Sequence, residues 1–545
     1  MRLVSLLSCL LVASACAQPL VYNRGVLNAA SFMPQGLASG GIAQGSIFSI
    51  FGTRFGPGSP VEASAFPLGT TLGNVSVTLT QGATTVNAIP LYVSNTQVNA
   101  IMPSNAPLGR VSLRVLSGAL KSPPVPVTVV TSAFGIFTAG GAGTGPGILQ
   151  NYITAVNQPI NEPSIAAQPG QTIILWGTGL GPVPGGADNV APPAGNLPIK
   201  VEVFVGGVPA TVAYSGRTPC CSGTDQIVFQ VPASAPLGCW VPVMIRTGGT
   251  TVGNVVTMAI QSNGTSCADP LNPLSPPLVA GGNSAIFSAY RANTHEDVGV
   301  AATVDVTSDY LGGAAYGSQA APFPFNLMVS LPPAGTCTEY GEAGDLLGGA
   351  SSIAAPGGQA LNFGTSLTLT SPKGTETLTA ALGYAAGYLG GFISDNSIPN
   401  TLYLNPGAYT LAGTGGADIG AFSASLTVPQ ALAWTNPPTT VDRTQPLTVS
   451  WSGGNPSQAV AVTGFGEDLP TNSSVMFVCL VASGATSFTI PAVILANVPA
   501  TRANPLQSKD VIYLVSLPGA QVGATGLNGS AAGFSYVSGT TVVYQ

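Results

Sequence analysis

The sequence predicts an all-β protein built from about four small β-sandwich domains in a row, joined by linkers rich in Gly and Pro. Three observations support this. Residues 45–57 return as a near copy at residues 170–182, so the first half of the chain is a tandem repeat. Short runs rich in Val, Ile, Thr, Leu and Phe are separated by Gly and Pro at the spacing of strands and turns. Hydrophobic residues make up 45% of the chain and charged residues only 6%, which is the opposite of a disordered composition.

The charge balance argues against two classes of partner. The chain carries 14 Lys and Arg residues against 20 Asp and Glu residues, with a formal net charge of -6. A nucleic-acid partner is disfavoured because there is no basic patch to meet its phosphates. The same balance argues against an anionic membrane surface. We therefore expect the partner to be an extracellular protein or a polysaccharide.

Residues 1–17 have the features of a secretory signal peptide. A basic residue precedes an apolar run at residues 3–12 that is too short to span a bilayer, and small residues precede the expected mature start at Gln18. In the alternative interpretation, residues 13–16 form a lipoprotein box and Cys16 carries a lipid that anchors the protein to a membrane. No later apolar run is long enough for a transmembrane helix, so none is expected in the mature chain.

The two copies of the repeat define the first two domains, at residues 21–132 and 169–261, with a Gly-rich connector between them at residues 133–168. Apolar and polar residues alternate at residues 75–79 and 201–205, as they do in half-buried strands. The offset between the copies grows from 125 at the matching glycines to 129 at the matching glutamines further on. This difference indicates an insertion of about four residues in a surface loop of the second copy.

The second half of the chain again has the pattern of β-strands. A Pro-rich linker at residues 262–282 leads to a third β-sandwich at residues 283–430. In the fourth domain, at residues 431–545, Trp451 ends an alternating run and is expected to fill the core between two sheets, as in immunoglobulin-like sandwiches. Residues 490–498 have the pattern of a single helical turn between strands.

The repeated motifs resemble a known domain type. Each copy has an apolar strand ending in Gly-Thr, a Val-x-Val strand, a run that begins with Gln and ends with Pro, and a Leu-Gly turn. This order is similar to the immunoglobulin-like TIG/IPT domain. Together with residues 25–32 and 146–151, the pair at about residues 22–261 resembles the Solibacter C-terminal domain family of secreted acidobacterial proteins. The resemblance implies an immunoglobulin-like fold and export, and it brings no catalytic residues.

The cysteines are the strongest chemical signal. Six remain after the signal peptide, and an even number in an exported chain indicates disulfides. A bridge between neighbours in sequence needs a strained ring, so we expect Cys220 and Cys221 each to bond to Cys239 or Cys267, in an order that stays open. Cys337 and Cys479 fall in different domains, so either they pair across a domain interface or the boundary between those domains is misplaced. The spacing of these cysteines is not that of a zinc site, and no metal is expected.

Catalytic side chains are scarce. His295 is the only histidine, which excludes most hydrolase mechanisms built on a histidine base and every metal site with several histidines. Glu339 with Glu342, or Glu467 with Asp468, could serve a glycosidase only if two carboxyl groups faced each other across a sugar. Neighbours in sequence are poor evidence for that geometry. We therefore expect no catalytic, cofactor or metal site.

Two functions fit these features. The first is an exported, non-enzymatic protein that acts in cell-surface adhesion, structure or protein interaction. The alternative is an extracellular carbohydrate-binding or polysaccharide-accessory protein, which would stack sugars on exposed aromatic rings. The candidate platforms are Trp240, Trp434, Tyr214 and Tyr310. Burial of these rings would remove the main support for sugar binding.

Overall fold

A computed structural model describes residues 18–272, 274, 280–297, 303–317, 330–342, 359–380, 387–394, 401–468, 473–501 and 510–545. These residues form a tandem β-sandwich protein: two small sandwiches followed by a larger C-terminal β body. The predicted signal peptide, and with it Cys16, lies outside the described residues. The only helix among them has five residues, and none of the described helices could cross a membrane.

The first sandwich has eleven strands between Leu20 and Val130. They are β1 (Leu20–Asn28), β2 (Ile42–Ala43), β3 (Ile47–Thr53), β4 (Val61–Glu62), β5 (Val75–Gln81), β6 (Thr84–Asn87), β7 (Ile89–Val93), β8 (Gln97–Ile101), β9 (Gly109–Ser117), β10 (Leu120–Lys121) and β11 (Val125–Val130). One sheet has the order β1-β3-β8-β7-β4 and the other β2-β11-β9-β5-β6, with β10 beside β9. In β5 the apolar side chains of Val75, Val77 and Leu79 are buried and the residues between them are not, as the alternation predicts.

The second sandwich has ten strands. They are β12 (Gly135–Ile136), β13 (Leu149–Asn151), β14 (Thr172–Thr178), β15 (Gly195–Asn196), β16 (Val201–Val205), β17 (Val208–Arg217), β18 (Asp225–Gln230), β19 (Gly238–Thr247), β20 (Thr251–Val252) and β21 (Val256–Ile260). Strand β17 passes from one side of the sandwich to the other through a bulge between Val212 and Tyr214. Both β12 and β13 pair with β14. The predicted connector is therefore part of the second sandwich rather than a linker, because its short strands complete the sheet.

The two sandwiches are structural copies of each other. Asn28 lies opposite Phe48 in the first, and Asn151 lies opposite Ile173 in the second, 125 positions after Phe48. Both asparagines are buried, and their amides donate to backbone carbonyl groups. A backbone bond closes the same end of each copy, from the Gly45 amide to Met102 and from the Gly170 amide to Val231, at 2.8 Å in both. The repeat seen in the sequence is thus a repeat of strand register.

The extra residues of the second copy form the contact between the copies. They lie in the loop from β17 to β18, which packs on the end of the first sandwich. The Thr178 hydroxyl accepts a hydrogen bond from the Ile47 amide at 2.8 Å and donates to the Gly223 carbonyl at 2.6 Å. A Cβ atom on Gly223 would come within 2.7 Å of the Ile47 side chain. Only a glycine allows this close approach.

A buried ion pair holds this insertion loop. Arg217 lies 2.8 Å from the carboxylate of Asp225 and donates to the Gly181 carbonyl at 2.6 Å. The other Asp225 oxygen accepts hydrogen bonds from the Gly179 and Leu180 amides. Both side chains are almost completely buried, so each charge depends on the other for compensation.

Replacing Arg217 with Met is expected to lower the free energy of unfolding of the second sandwich by about 3 kcal/mol, because it leaves a buried carboxylate without its cation. Arg246→Met is the matched control, since Arg246 pairs with Glu202 on the surface of the same sandwich. That pair should contribute less than about 1 kcal/mol. Urea unfolding of the two variants measures the difference, and equal losses would contradict this role of the buried pair.

The described residues of the C-terminal body form the remaining strands and one short helix. They are β22 (Asn283–Asp297), β23 (Thr303–Gly317), β24 (Thr336–Glu342), β25 (Gln359–Ala360), β26 (Ser366–Ser371), β27 (Gly374–Thr379), β28 (Tyr388–Ile393), β29 (Gly407–Gly413), β30 (Phe422–Val428), β31 (Ala433–Trp434), β32 (Thr440–Val441), β33 (Leu447–Ser452), β34 (Val460–Asp468), β35 (Ser473–Val481), β36 (Ser487–Ile490), α1 (Ala492–Ala496), β37 (Asp510–Ser516) and β38 (Gly529–Tyr544).

This body has one core rather than the two that the sequence suggested. Its large sheet has the order β24-β35-β34-β37-β38-β22-β23-β25, with β28 also paired to β23. Four consecutive strands from residues 431–545 thus lie between strands from residues 283–430, and β22 pairs in parallel with β38. A four-stranded sheet, β27-β26-β29-β30, and a three-stranded sheet, β31-β33-β36, complete the body around one large hydrophobic cluster. The predicted boundary at residue 430 is therefore wrong, because strand pairing crosses it.

Two local predictions for this region are confirmed. Trp451 is 5% exposed and belongs to the main hydrophobic cluster of the body. The single helical turn predicted at residues 490–498 is α1, which buries Ile494 and Leu495. Both features follow from patterns within a few residues, which is why the sequence alone could show them.

The disulfides differ in part from the prediction. Cys220 bonds to Cys221, so the expectation that each would bond elsewhere is wrong. The two neighbours lie together in the insertion loop, whereas Cys239 is the second residue of β19 and bonds to Cys267. Cys337 bonds to Cys479 within one sheet, directly across β24 and β35. Of the two alternatives for this pair, the structure therefore agrees with the second, in which the predicted domain boundary at residue 430 is misplaced.

Candidate functional site

The four aromatic residues predicted as sugar platforms lie in different surroundings. Trp240 is 1% exposed, so the prediction that it stacks on a sugar is wrong. Tyr214 is half-buried, and its hydroxyl donates to the Arg217 carbonyl at 2.7 Å, which steadies the insertion loop. Trp434 is half-buried against the C-terminal core and donates to Asn436. Tyr310 alone takes part in a group of aromatic side chains.

Tyr310 is the middle ring of a row that crosses three strands of the large sheet. Its ring lies 4.7 Å from that of Tyr290 on β22, with only 9° between the planes, and 4.2 Å from that of Phe392 on β28. The three residues are direct register partners, so their side chains leave the same face of the sheet. The row is a continuous aromatic wall on the outer face of the C-terminal body.

The next row of partners on the same face has almost no side chains. This row lies two residues away from the aromatic row on each strand. It consists of Gly533 on β38, Ser288 on β22, Gly312 on β23 and Gly390 on β28, which lie side by side. A Cβ atom on Gly312 would meet only backbone atoms of β28, at 3.3 Å or more. The alternation of strand side chains thus places a shallow floor directly beside the aromatic wall.

The far side of this floor is closed by larger residues. Tyr388 on β28 extends over Gly390, where a Cβ atom would lie 2.5 Å from its hydroxyl oxygen. Ile286 on β22 packs with Leu274. Wall, floor and far side enclose a cavity of about 600 Å³, which is in the usual range for ligand sites. We call this cavity the aromatic trough.

Two of its rings are largely open to solvent. Tyr388 is 63% exposed and Phe392 is 70% exposed, whereas Tyr290 and Tyr310 are half-buried and cover each other's faces. Among the described aromatic side chains these two are the most exposed, and Phe66 at 42% and Tyr152 at 40% come next. Tyr388 and Phe392 therefore present the free ring faces of the trough.

The trough is polar only through hydroxyl groups. Among the described residues that line it, none carries a charged side chain, and its polar groups are those of Ser284, Ser288 and the tyrosines. Burial raises the pKa of Tyr290, and the hydroxyls of Tyr310 and Tyr388 raise it further. The Tyr290 hydroxyl is therefore protonated at neutral pH, where it can donate or accept a hydrogen bond.

A buried ion pair supports the trough from behind. Arg291 and Asp309 are register partners on β22 and β23, on the opposite face of the two strands. The guanidinium group binds the carboxylate through two bonds of 2.8 and 2.9 Å. Asp309 also accepts a hydrogen bond from the Leu404 amide at 2.8 Å. Because both ends of the pair are fixed, the strands that carry the aromatic wall are held in register.

Of the carboxylates considered for a glycosidase, the structure describes the side chains of Glu339 and Glu467. Glu339 is buried and accepts a hydrogen bond from Asn497, whereas Glu467 lies on β34. The side chains of Glu342 and Asp468 lie outside the described residues. His295 binds the exposed Asp305 at 2.7 Å, as neighbours across β22 and β23. No group of three or more potential metal ligands occurs among the described residues.

Sequence reasoning missed most residues of the trough, among them Tyr290, Tyr388 and Phe392. Each stands in a run where alternate positions are apolar or aromatic, so the face on which it lies could be read locally. Only the pairing register of β22, β23 and β28 shows that these residues lie side by side. Register across strands from distant parts of the chain is not visible in any local pattern.

Comparisons with known proteins leave the fold description unchanged. No protein-family model and no curated protein sequence matches the chain. Native E. coli alpha-2-macroglobulin is 11% identical, and the match covers 92% of this chain and 45% of that one with a TM-score of 0.13. Domains 5-6 of the S-layer protein SbsC are 12% identical over 44% of this chain and 98% of theirs, with a TM-score of 0.15. At these TM-scores the likenesses carry no argument about function.

Proposed function

We propose that this protein is exported and acts without catalysis, by attaching to a partner outside the cell in adhesion, surface structure or protein interaction. The aromatic trough is its binding surface and is the observation that carries the proposal. Soluble proteins seldom expose a large apolar patch unless it binds something. The three disulfides support export, because such bonds persist in oxidising compartments.

The resemblance of residues 22–261 to TIG/IPT domains and to the Solibacter C-terminal domain family belongs to the same proposal. It is supported by the equal strand register and the matching buried asparagines of the two copies. In this arrangement the two sandwiches are a rigid stalk, since a buried ion pair and short hydrogen bonds hold the insertion loop between them. The C-terminal body presents the trough.

Carbohydrate binding remains the second candidate function, and one observation favours it. Tyr310, a predicted platform, lies in a trough that combines aromatic rings with hydroxyl groups. A sugar ring packs its C–H face against an aromatic ring, and its hydroxyl groups form hydrogen bonds with the hydroxyl groups of the protein.

Attachment through the trough predicts a large loss of binding in the double variant Tyr388→Ala with Phe392→Ala. The purified chain is applied to plates coated with collagen, fibronectin, cellulose, chitin or peptidoglycan. We expect retention on at least one surface, and retention at least tenfold weaker for the variant, because two exposed anchors of about 1 kcal/mol or more each are lost. Tyr152→Ala, which removes a 40% exposed tyrosine from the second sandwich, is the control. Equal retention of all three proteins would refute the proposal.

A further inference from the structure

We infer that the aromatic trough binds a neutral polysaccharide chain, with one sugar ring stacked on Tyr388 and another on Phe392. This inference rests on the proposed function and specifies its ligand. It depends on three properties of the described lining residues: their lack of charge, the kind and place of their polar groups, and the spacing of the two free ring faces.

The lack of charge excludes ionic ligands. A sulfated or uronic-acid polysaccharide would have to leave water and enter an apolar trough without meeting a cation among the described lining residues. Removing an ion from water without compensation is strongly unfavourable. The chain as a whole is also acidic, with a formal net charge of -6, so it repels polyanions at longer range. A neutral ligand meets neither penalty.

The polar groups favour a sugar over a lipid or a peptide. Serine hydroxyls lie in the trough, and tyrosine hydroxyls lie along both of its sides, so a hydroxylated ligand can replace their bonds to water. A hydrocarbon chain would leave those hydroxyls without partners. A peptide that adds a strand needs a free row of backbone groups. Because β22 and β23 are each paired on both sides and β28 pairs with β23, such a strand would add beside β28, at the edge of the trough rather than in it.

The free ring faces set the length of the ligand. Tyr388 and Phe392 lie on the same face of β28, four residues apart, which corresponds to about 13 Å along a strand. A pyranose ring has one face of C–H groups, which carries partial positive charge and packs on the negative face of an aromatic ring. The Tyr388 ring extends over Gly390 towards Phe392, so the two ring faces lie closer together than these backbone positions. They can contact different units of one chain, which a single sugar cannot do.

Gly312→Val tests the inference without weakening the fold. Gly312 does not have a positive φ, and a β-branched side chain suits a strand better than glycine does. The valine side chain would fill the floor of the trough, where its Cβ atom meets the backbone of β28 at 3.3 Å, a contact that a shift of a few tenths of an ångström relieves. Thr84→Val, which places the same side chain on an exposed strand of the first sandwich, is the matched control.

Isothermal titration calorimetry is carried out with soluble xylan, galactomannan, β-glucan and dextran, and with pectate and alginate as anionic probes. We expect binding to at least one neutral polysaccharide, with little dependence on salt. Gly312→Val should weaken this binding at least tenfold at an unchanged melting temperature, and Thr84→Val should not change it. Binding only to the anionic probes, or neutral binding that survives Gly312→Val, would overturn the inference.

The plate assay separates this inference from the proposed function. If the neutral polysaccharides do not bind but retention on collagen or fibronectin still depends on Tyr388 and Phe392, then the trough binds protein and only the inference fails. If no surface and no polysaccharide depends on the trough, both fail.

Discussion

Replacing Cys337 and Cys479 together with alanine is expected to lower the free energy of unfolding of the C-terminal body by about 5 kcal/mol. The disulfide closes a loop of 142 residues, and the chain-entropy model assigns about 5 kcal/mol to a loop of that length. Differential scanning calorimetry should show the transition of this body shifted down by roughly 10 to 20 °C.

The other two disulfides provide an internal scale for this result. The bond between Cys239 and Cys267 spans 28 residues, for which the same model gives about 3.5 kcal/mol. The bond between Cys220 and Cys221 closes no loop of the chain, so Cys220→Ser with Cys221→Ser should leave every transition within about 1 °C of the parent. If removal of the vicinal bond cost as much as removal of the long-range bond, loop length would not be the source of the stabilisation.

The stability of the C-terminal body is expected to fall between pH 5 and pH 8 because of Glu339. Burial raises the pKa of this carboxyl from 4.5 to about 8, and the hydrogen bond from Asn497 offsets only part of the effect. The folded state therefore binds a proton that the unfolded state releases above pH 4.5. The resulting stabilisation is complete below pH 4.5 and is lost as the pH rises towards 8, by up to about 5 kcal/mol at 1.36 kcal/mol per pKa unit.

Glu339→Gln is the variant that tests this origin, because it keeps the shape and the hydrogen bond from Asn497 but cannot ionise. Urea unfolding at pH 5, 6, 7 and 8 should show that the free energy of unfolding changes much less with pH in the variant than in the parent. The variant should also be the more stable protein at pH 8. A shallow slope should remain, since burial also raises the pKa of Asp510 in the same body. Parallel pH profiles for parent and variant would assign the dependence to other groups.

Glu339 also shows how the bodies of the protein are joined. Asn497, just after α1, donates to the Glu339 carboxyl at 2.9 Å and to the Gly253 carbonyl of the second sandwich at 3.0 Å. One buried amide thus links a strand of the C-terminal body, its helix and the preceding sandwich. A change in the ionisation of Glu339 therefore acts at a contact between bodies as well as within one core.

The features that the sequence alone determined are those set by neighbouring residues. Alternation of apolar and polar residues predicted which side chains of β5 are buried, and the repeat predicted two copies of one small sandwich domain. Trp451 and α1 were predicted for the same reason. In each case the preference of a short segment for one face, or for one turn, is enough to decide the outcome.

Tertiary structure alone decided the partners of those segments. The pairing of β22 with β38 joins residues more than two hundred positions apart and makes one body of two predicted domains. The aromatic trough needs the register of β22, β23 and β28, and the bond between Cys239 and Cys267 leaves Cys220 to bond to Cys221. A strand pattern states which side chains face the core, but many partners in a β-rich chain satisfy it equally well. The choice among them depends on packing across the whole body, which no short stretch of sequence contains.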